Sequence, residues 1–308
     1  MPKPPTYWQK YDLLNKKYSK KEQFFELKKI CIRQGLPYER SDPRGRKLKF
    51  DVFSYTAFLC VQKIYGHKYR EMELEADLYL PDRADHSTFA RNFAKINEEY
   101  IEKIIVSFVD REFGFWIADS TGISTKINVE RINTGQRRKE LLTDKYHLIV
   151  GYDPPTSTTM ILDVKATDNH VSDSQGAIKM LENKHSNAYF LGDSAYNTYA
   201  LHEKAQEVGL FPLMKPDNKG IRKKLSVKAK QVKLFNKPIY REIRGIVETV
   251  FGGATNAGLM ITHAKLEHTR RLDTLMLALR HNLRASLRLI KIIFNATNSF
   301  FPKNSYSP

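Results

Sequence analysis

FGFWIAD, residues 113–119, decides how the rest of the chain is read. Upstream of it, apolar residues recur at helical spacing. Here they run together, with the aromatic and branched side chains of a buried strand, and the run delivers a carboxylate, Asp119. A charge in that position is costly unless something pairs with it. Two further strands follow, YHLIVGYD (146–153) and TTMILDVKA (158–166), joined by the turn signal DPPTS. Residues 171–183 read as a helix with Ser172 or Asp173 as N-cap, and AYFLGD (188–193) as another buried strand. A helix near 197–208 then leads to GLFPLMKP (209–216), a last short strand. The predicted order is β-β-β-α-β-α-β-α. Short links suit an antiparallel meander for the first three strands, and the later unit needs a right-handed parallel crossover. The fold class is therefore α/β with a mixed sheet, its first and fourth strands parallel neighbours.

The segment before the sheet is predicted to be all-α. Phe24, Phe25, Leu27 and Ile30 mark one helix, and Val52–Tyr65, 68–80 and 87–109 three more, the last capped by Ser87. LPYERSDPRGRKLKF (36–50) reads as a loop. Two helices joined at PDRADHS fit either a helix-turn-helix reader or a small bundle. The chain has 308 residues, room for two domains, and the boundary falls near 110: 1–110 helical, 111–308 built on the sheet.

Charge is the strongest global signal. Fifty-one Lys and Arg against 34 Asp and Glu give a formal +17, which points to a polyanionic partner, most simply nucleic acid. Between Lys219 and Arg244 there are ten basic residues and one acid, Glu242. Cys31 and Cys60 lack metal-ligand spacing and read as reduced thiols. No apolar stretch approaches a membrane span and the N-terminus lacks a signal-peptide core, so the expected location is cytoplasmic, with no membrane partner.

Asp193 ends the fourth strand as Asp119 ends the first, so both fall at the carboxyl ends of adjacent parallel strands, where open α/β sheets place their sites. Two such carboxylates repel, and a divalent cation removes the conflict. Mg²⁺ suits oxygen ligands and keeps waters for a phosphate. A third acid comes from YREIRGIVETVFGG (240–253): Arg241, Arg244, Glu248 and Phe251 share a helical face, with Ile243, Val247 and Val250 on the apolar side beside it. Taken singly, each Asp reads as a turn or cap residue, and the Arg/Glu pair as a surface ion pair. Together, the order Asp, Asp, Glu on strand, strand and helix fits two-metal phosphoryl transfer. His147, His170 and His263 lack ligand spacing and read as structural. Ser120 and Ser194 have no nucleophile elbow around them.

DSTGI (119–123), GDSAYN (192–197) and YREIRGIVETVFG (240–252) resemble the three catalytic blocks of DDE transposases from prokaryotic insertion sequences, the group with a Tyr/Arg/Glu/Lys helix signature. HVSDSQGAI (170–178) is similar to a segment this group carries before its second block, and residues 69–93 to its N-terminal helical region. The resemblance implies an RNase H-like catalytic domain over 111–308, with a basic insertion at about 217–240. It implies that 1–110 serves DNA binding or dimerisation. It implies that Asp119, Asp193 and Glu248 are catalytic and hold two Mg²⁺ ions (or Mn²⁺). The activity implied is cleavage of double-stranded DNA at element ends and transfer of the 3′-hydroxyl strand to target DNA, by a homodimer on DNA associated with the nucleoid. Arg241, Arg244, Lys223, Lys224, Lys228 and Lys230, with Arg270, Arg271, Arg280, Arg284 and Arg288 of a C-terminal helix, would then hold the DNA backbone. The sequence departs from the signature at two places: Arg241 stands at the Tyr position, with Tyr240 beside it, and Thr255 at the Lys position. The alternatives are a metal-dependent nuclease of the same fold and a non-catalytic DNA-binding descendant.

Overall fold

A computed structural model describes residues 19–38, 51–81, 84–133, 136–217 and 226–300. Most of the loop expected at 36–50 lies outside these residues, as do Lys219, Arg222, Lys223 and Lys224.

The first described residues form a helical layer: α1 (Lys20–Gln34), α2 (Val52–Ile64), α3 (Tyr69–Glu75), α4 (His86–Phe93) and α5 (Glu98–Val106). Local chemistry sets the boundaries. Ser19 and Glu22 close a capping box at α1, and the Asp51 carboxylate accepts from the Phe53 and Ser54 amides at α2. The single helix expected over 87–109 is two, because the Asn97 side chain accepts from the Glu99 amide and starts a new helix. Asp85, not Ser87, caps α4, accepting from the Ser87 amide at 2.7 Å.

The sheet follows as expected, with β1 (Phe115–Asn133), β2 (Gln136–Asp153) and β3 (Thr158–Asp168) antiparallel, then α6 (Asp173–Leu181), β4 (Tyr189–Gly192), α7 (Tyr199–Glu207) and β5 (Phe211–Met214). The strand order is β3-β2-β1-β4-β5, with β4 parallel to both β1 and β5. This mixed sheet with helices on it is an RNase H-like arrangement. The described chain continues through α8 (Val227–Lys233), α9 (Lys237–Arg244), α10 (Ile246–Asn256), β6 (Ile261–Thr262), which pairs with β1, and the long α11 (Glu267–Phe300).

One detail differs from the sequence reading. Asp119 does not end β1, which runs on to Asn133 paired with β2. What ends is the parallel neighbour: the last β1–β4 pair is Ile117 with Leu191. Asp119 therefore lies just past the point where its pairing with β4 gives out.

Helix α11 joins the layers. It packs on β3 and on α5, and several of its buried polar groups are paired across these contacts. The Asn282 amide accepts from Ile161 N at 2.7 Å, and donates to Ile161 O at 2.8 Å and to Ile105 O at 2.9 Å. Arg270 and Asp144 form a buried pair at 2.7 Å. Lys63 of α2 reaches Asp273 at 2.8 Å, with its ammonium over the Tyr69 and Phe93 rings. Asn282 thus satisfies backbone groups of both β3 and α5. Cys31 and Cys60 are buried free thiols. No helix among the described residues is long and apolar enough to cross a membrane.

Asn282→Ala strips partners from buried backbone groups of β3 and α5. It is expected to cost about 2–4 kcal/mol, read as a lower denaturation midpoint with an unchanged slope.

Candidate active site

Asp119 projects from β1 onto the face covered by α9 and α10, and its side chain is only 16% exposed. Its Oδ1 accepts from the Ser120 amide at 2.9 Å, and its Oδ2 from Arg244 Nη2 at 3.0 Å. Burial pushes the Asp119 carboxyl up from its ordinary range. The Arg244 charge opposes this, and the nearby Asp193 carboxylate adds to the rise. Asp193 leaves β4 as the cap of a single 3-10 turn, Ser194–Tyr196, with Oδ1 accepting from the Ala195 amide at 2.8 Å. The two aspartates are thus close enough to feel each other's charge, as their positions on adjacent parallel strands predict.

The third block is placed by amphipathic packing. Asn236 caps α9 and a proline follows in its first turn, while Ile243, Val247 and Val250 turn inward and are buried. The single helix read over 240–253 divides at Gly245, which keeps helical geometry (φ −65°, ψ −15°) and so passes the chain from α9 to α10 with little change of direction. Gly252 and Gly253 do not end α10, which runs to Asn256. Phe251 meets Tyr146 edge-on at 6.3 Å, fixing the helix over β2. Glu248 lies one turn beyond Arg244, exposed to solvent. Among the described residues, the set of three acid or histidine side chains whose ligand atoms all lie within 4.8 Å of one another is Glu73, Asp85 and His86, in the helical layer. The structure brings Asp119 and Asp193 within range of each other's charge, and with Glu248 they do not form such a set. The Glu73 cluster already serves helix capping: Asp85 caps α4, and Glu73 accepts from the His86 amide at 3.3 Å.

The basic residues divide sharply. Arg241 and Lys230 are exposed, and Arg284 and Arg271 half-buried, Arg271 on Glu267. Arg280 donates to the Ile64 carbonyl and lies over Tyr65. Lys228 and Arg270 are corrections to the sequence reading. Lys228 is 5% exposed, its ammonium donating to Asn197 O at 2.6 Å and paired with Asp217 at 3.3 Å. Arg270 is spent on Asp144. Neither presents a charge to a DNA backbone. The Arg288 side chain lies outside the described set.

Tyr240 was legible only as an off-by-one departure. Its hydroxyl lies against the Arg244 guanidinium, within range of both aspartates, and burial pushes its pKa up. A tyrosine four residues before the arginine shares its helix face.

A family model described as a transposase DDE domain matches residues 113–283, more than half of the sequence. The chain belongs to this family. A solved structure described as the piggyBac transposase synaptic complex with hairpin DNA is similar at a TM-score of 0.44 and 10% identity, over 92% of this chain and 75% of that one. No curated protein matches the sequence.

The charge environment of this DDE-family site makes a test that needs no substrate. In a carboxylate NMR titration, Asp193→Asn is expected to lower the Asp119 pKa, because a like charge is removed. Arg244→Gln is expected to raise it, because the one opposing cation is lost.

Proposed function

We propose that the chain is an active DDE transposase, which cuts DNA at the ends of an insertion element and joins the freed 3′-hydroxyl to target DNA. The observation that carries this reading is the pair Asp119 and Asp193 past the end of the β1–β4 pairing, in a chain of the DDE family. The donor set fits a hard divalent ion: both groups are carboxylates, one is partly desolvated, and a single guanidinium now offsets their charge. Mg²⁺ or Mn²⁺, two ions in this reading, would be held by Asp119 and Asp193, with Glu248 as the third ligand. Bound there, such ions supply Lewis acidity toward a phosphodiester and its attacking and leaving oxygens.

The protein's own groups do the rest. The Ser120 amide fixes one oxygen of Asp119, and the Ala195 amide one oxygen of Asp193, so each carboxylate presents its other oxygen in a set direction. Arg244 pairs with Asp119, and its guanidinium would turn to a phosphate oxygen once an ion takes over that carboxylate. Arg241 and Lys230, exposed near the site's helices, and Arg271 and Arg284 on α11 would hold the backbone, with Lys223 and Lys224 between β5 and α8. Glu248, on the turn after Arg244 and exposed to solvent, would have to swing inward to join the two aspartates. Residues 1–110 would read the element ends and the pair of DNA ends would bring two copies together.

The test uses DNA spanning the flanks of the chain's own gene. Cutting is expected only with Mg²⁺ or Mn²⁺, with joined products. Asp193→Asn and Glu248→Gln are expected to cut more than about 100-fold slower with DNA binding kept. Binding without cutting by the unmodified chain would favour the non-catalytic descendant. Cutting without joined products would favour the nuclease.

A further inference from the structure

Ser120 follows Asp119 in β1, so its side chain leaves by the opposite face of the sheet. There its hydroxyl donates to Asp173 Oδ1. Lys145 of β2 closes on the same oxygen at 2.7 Å and donates to the Val171 carbonyl at 3.3 Å. His147, directly across from Ser120 in the β1–β2 register, is fully buried with Nδ1 3.9 Å from Asp173 Oδ1. Its ring lies so close to α6 that a Cβ on Gly176 would come within 2.6 Å of it, so the helix start is drawn down onto the sheet at this point. The buried Tyr196 hydroxyl, three residues after Asp193, approaches Ser120 without completing a hydrogen bond.

Asp173 is not there to cap its helix. Ser172 does that, in a capping box with Gln175. An acid in the first turn gains from the helix dipole while facing water. This one instead turns inward, onto a hydroxyl and an ammonium of two different strands. Burial alone would push its pKa up, but the bonds from Lys145 and Ser120 outweigh that and hold the carboxyl below its usual range. Burial, with Lys145 nearby, drives His147 down to about 4, so at neutral pH it packs as an uncharged ring and leaves the charge balance to Lys145.

We propose that Asp173 is a positioning residue for Asp119, acting through Ser120 from the far side of the sheet. Fixing the Ser120 hydroxyl fixes that residue's backbone, and its amide is the donor that orients Asp119 Oδ1. With Oδ1 held, Oδ2 is the atom offered to Arg244, and to a divalent ion in the function proposed above, on which this inference rests. Lys145 keeps Asp173 ionised and aimed, and Gly176 permits the close approach. The group belongs with the second-layer partners that orient metal ligands, whose loss costs about 10- to 100-fold in metal affinity.

The test is Mn²⁺ affinity of the full chain, measured by electron paramagnetic resonance, with melting temperature and DNA binding followed in parallel. Asp173→Asn and Ser120→Ala are expected to weaken Mn²⁺ binding about 10- to 100-fold while DNA affinity holds. Ser120→Thr, which keeps the hydroxyl on a β-branched side chain suited to a strand, is expected to restore it. Should Asp173→Asn lower the melting temperature too far for titration, Ser120→Ala, a far smaller change, carries the measurement. Folded Asp173→Asn and Ser120→Ala proteins with wild-type Mn²⁺ affinity would overturn the positioning role and leave the proposed function standing. A wild-type chain whose Mn²⁺ binding does not depend on Asp193 would overturn both.

Discussion

The site depends on one ion pair. Asp119 is carried into a partly desolvated position by a strand that must be apolar to belong to the sheet, and burial there favours its neutral form. Arg244, on the helix that covers it, opposes that rise. The pair also sets the geometry. A strand of the sheet and a helix following the basic segment are tied at this point, with Glu248 one turn further on and exposed to solvent. Removing either partner would leave a buried charge uncompensated, which is more costly than never having placed the pair.

Around that contact the protein spends its charges in two ways. Arg270 with Asp144 is a buried pair that fastens a helix to the sheet, Lys63 with Asp273 a largely shielded one between two helices, and Lys228 ties its helix to Asn197 and Asp217. Arg241 and Lys230 remain outside. A formal +17 therefore describes the chain as a whole better than any single lysine in it. The long C-terminal helix shows the same economy: Arg270 and Asn282 work inward, while Arg284 stands half-exposed on the same helix.

The strand order, the parallel first and fourth strands, and the aspartates beside each other were legible because they follow from short-range patterns: apolar runs, turn residues and the handedness of a crossover. Boundaries were less legible. The break at Asn97 depends on a single cap, and the continuation of β1 past Asp119 depends on pairing with β2, which no local pattern in 119–123 announces. Periodicity put Glu248 on one helical face with Arg244, but periodicity does not say whether a side chain turns in or out, and Glu248 is exposed. Tyr240 and Asp173 were least legible. The role of each lies in a contact across elements, Tyr240 with Arg244 and Asp173 with Ser120 and Lys145, and only the fold creates those neighbours.

The central claim is that three acids from separate blocks gather around divalent ions on this sheet. The most direct measurement is a crystal structure of the full chain with Mn²⁺ and DNA, the ions located by their anomalous scattering. The account expects Mn²⁺ with oxygens of Asp119 and Asp193 at about 2.1 Å and the Glu248 carboxylate turned in to share it. Ions bound elsewhere, with Asp119 still on Arg244 and Glu248 still facing solvent in the DNA complex, would contradict it.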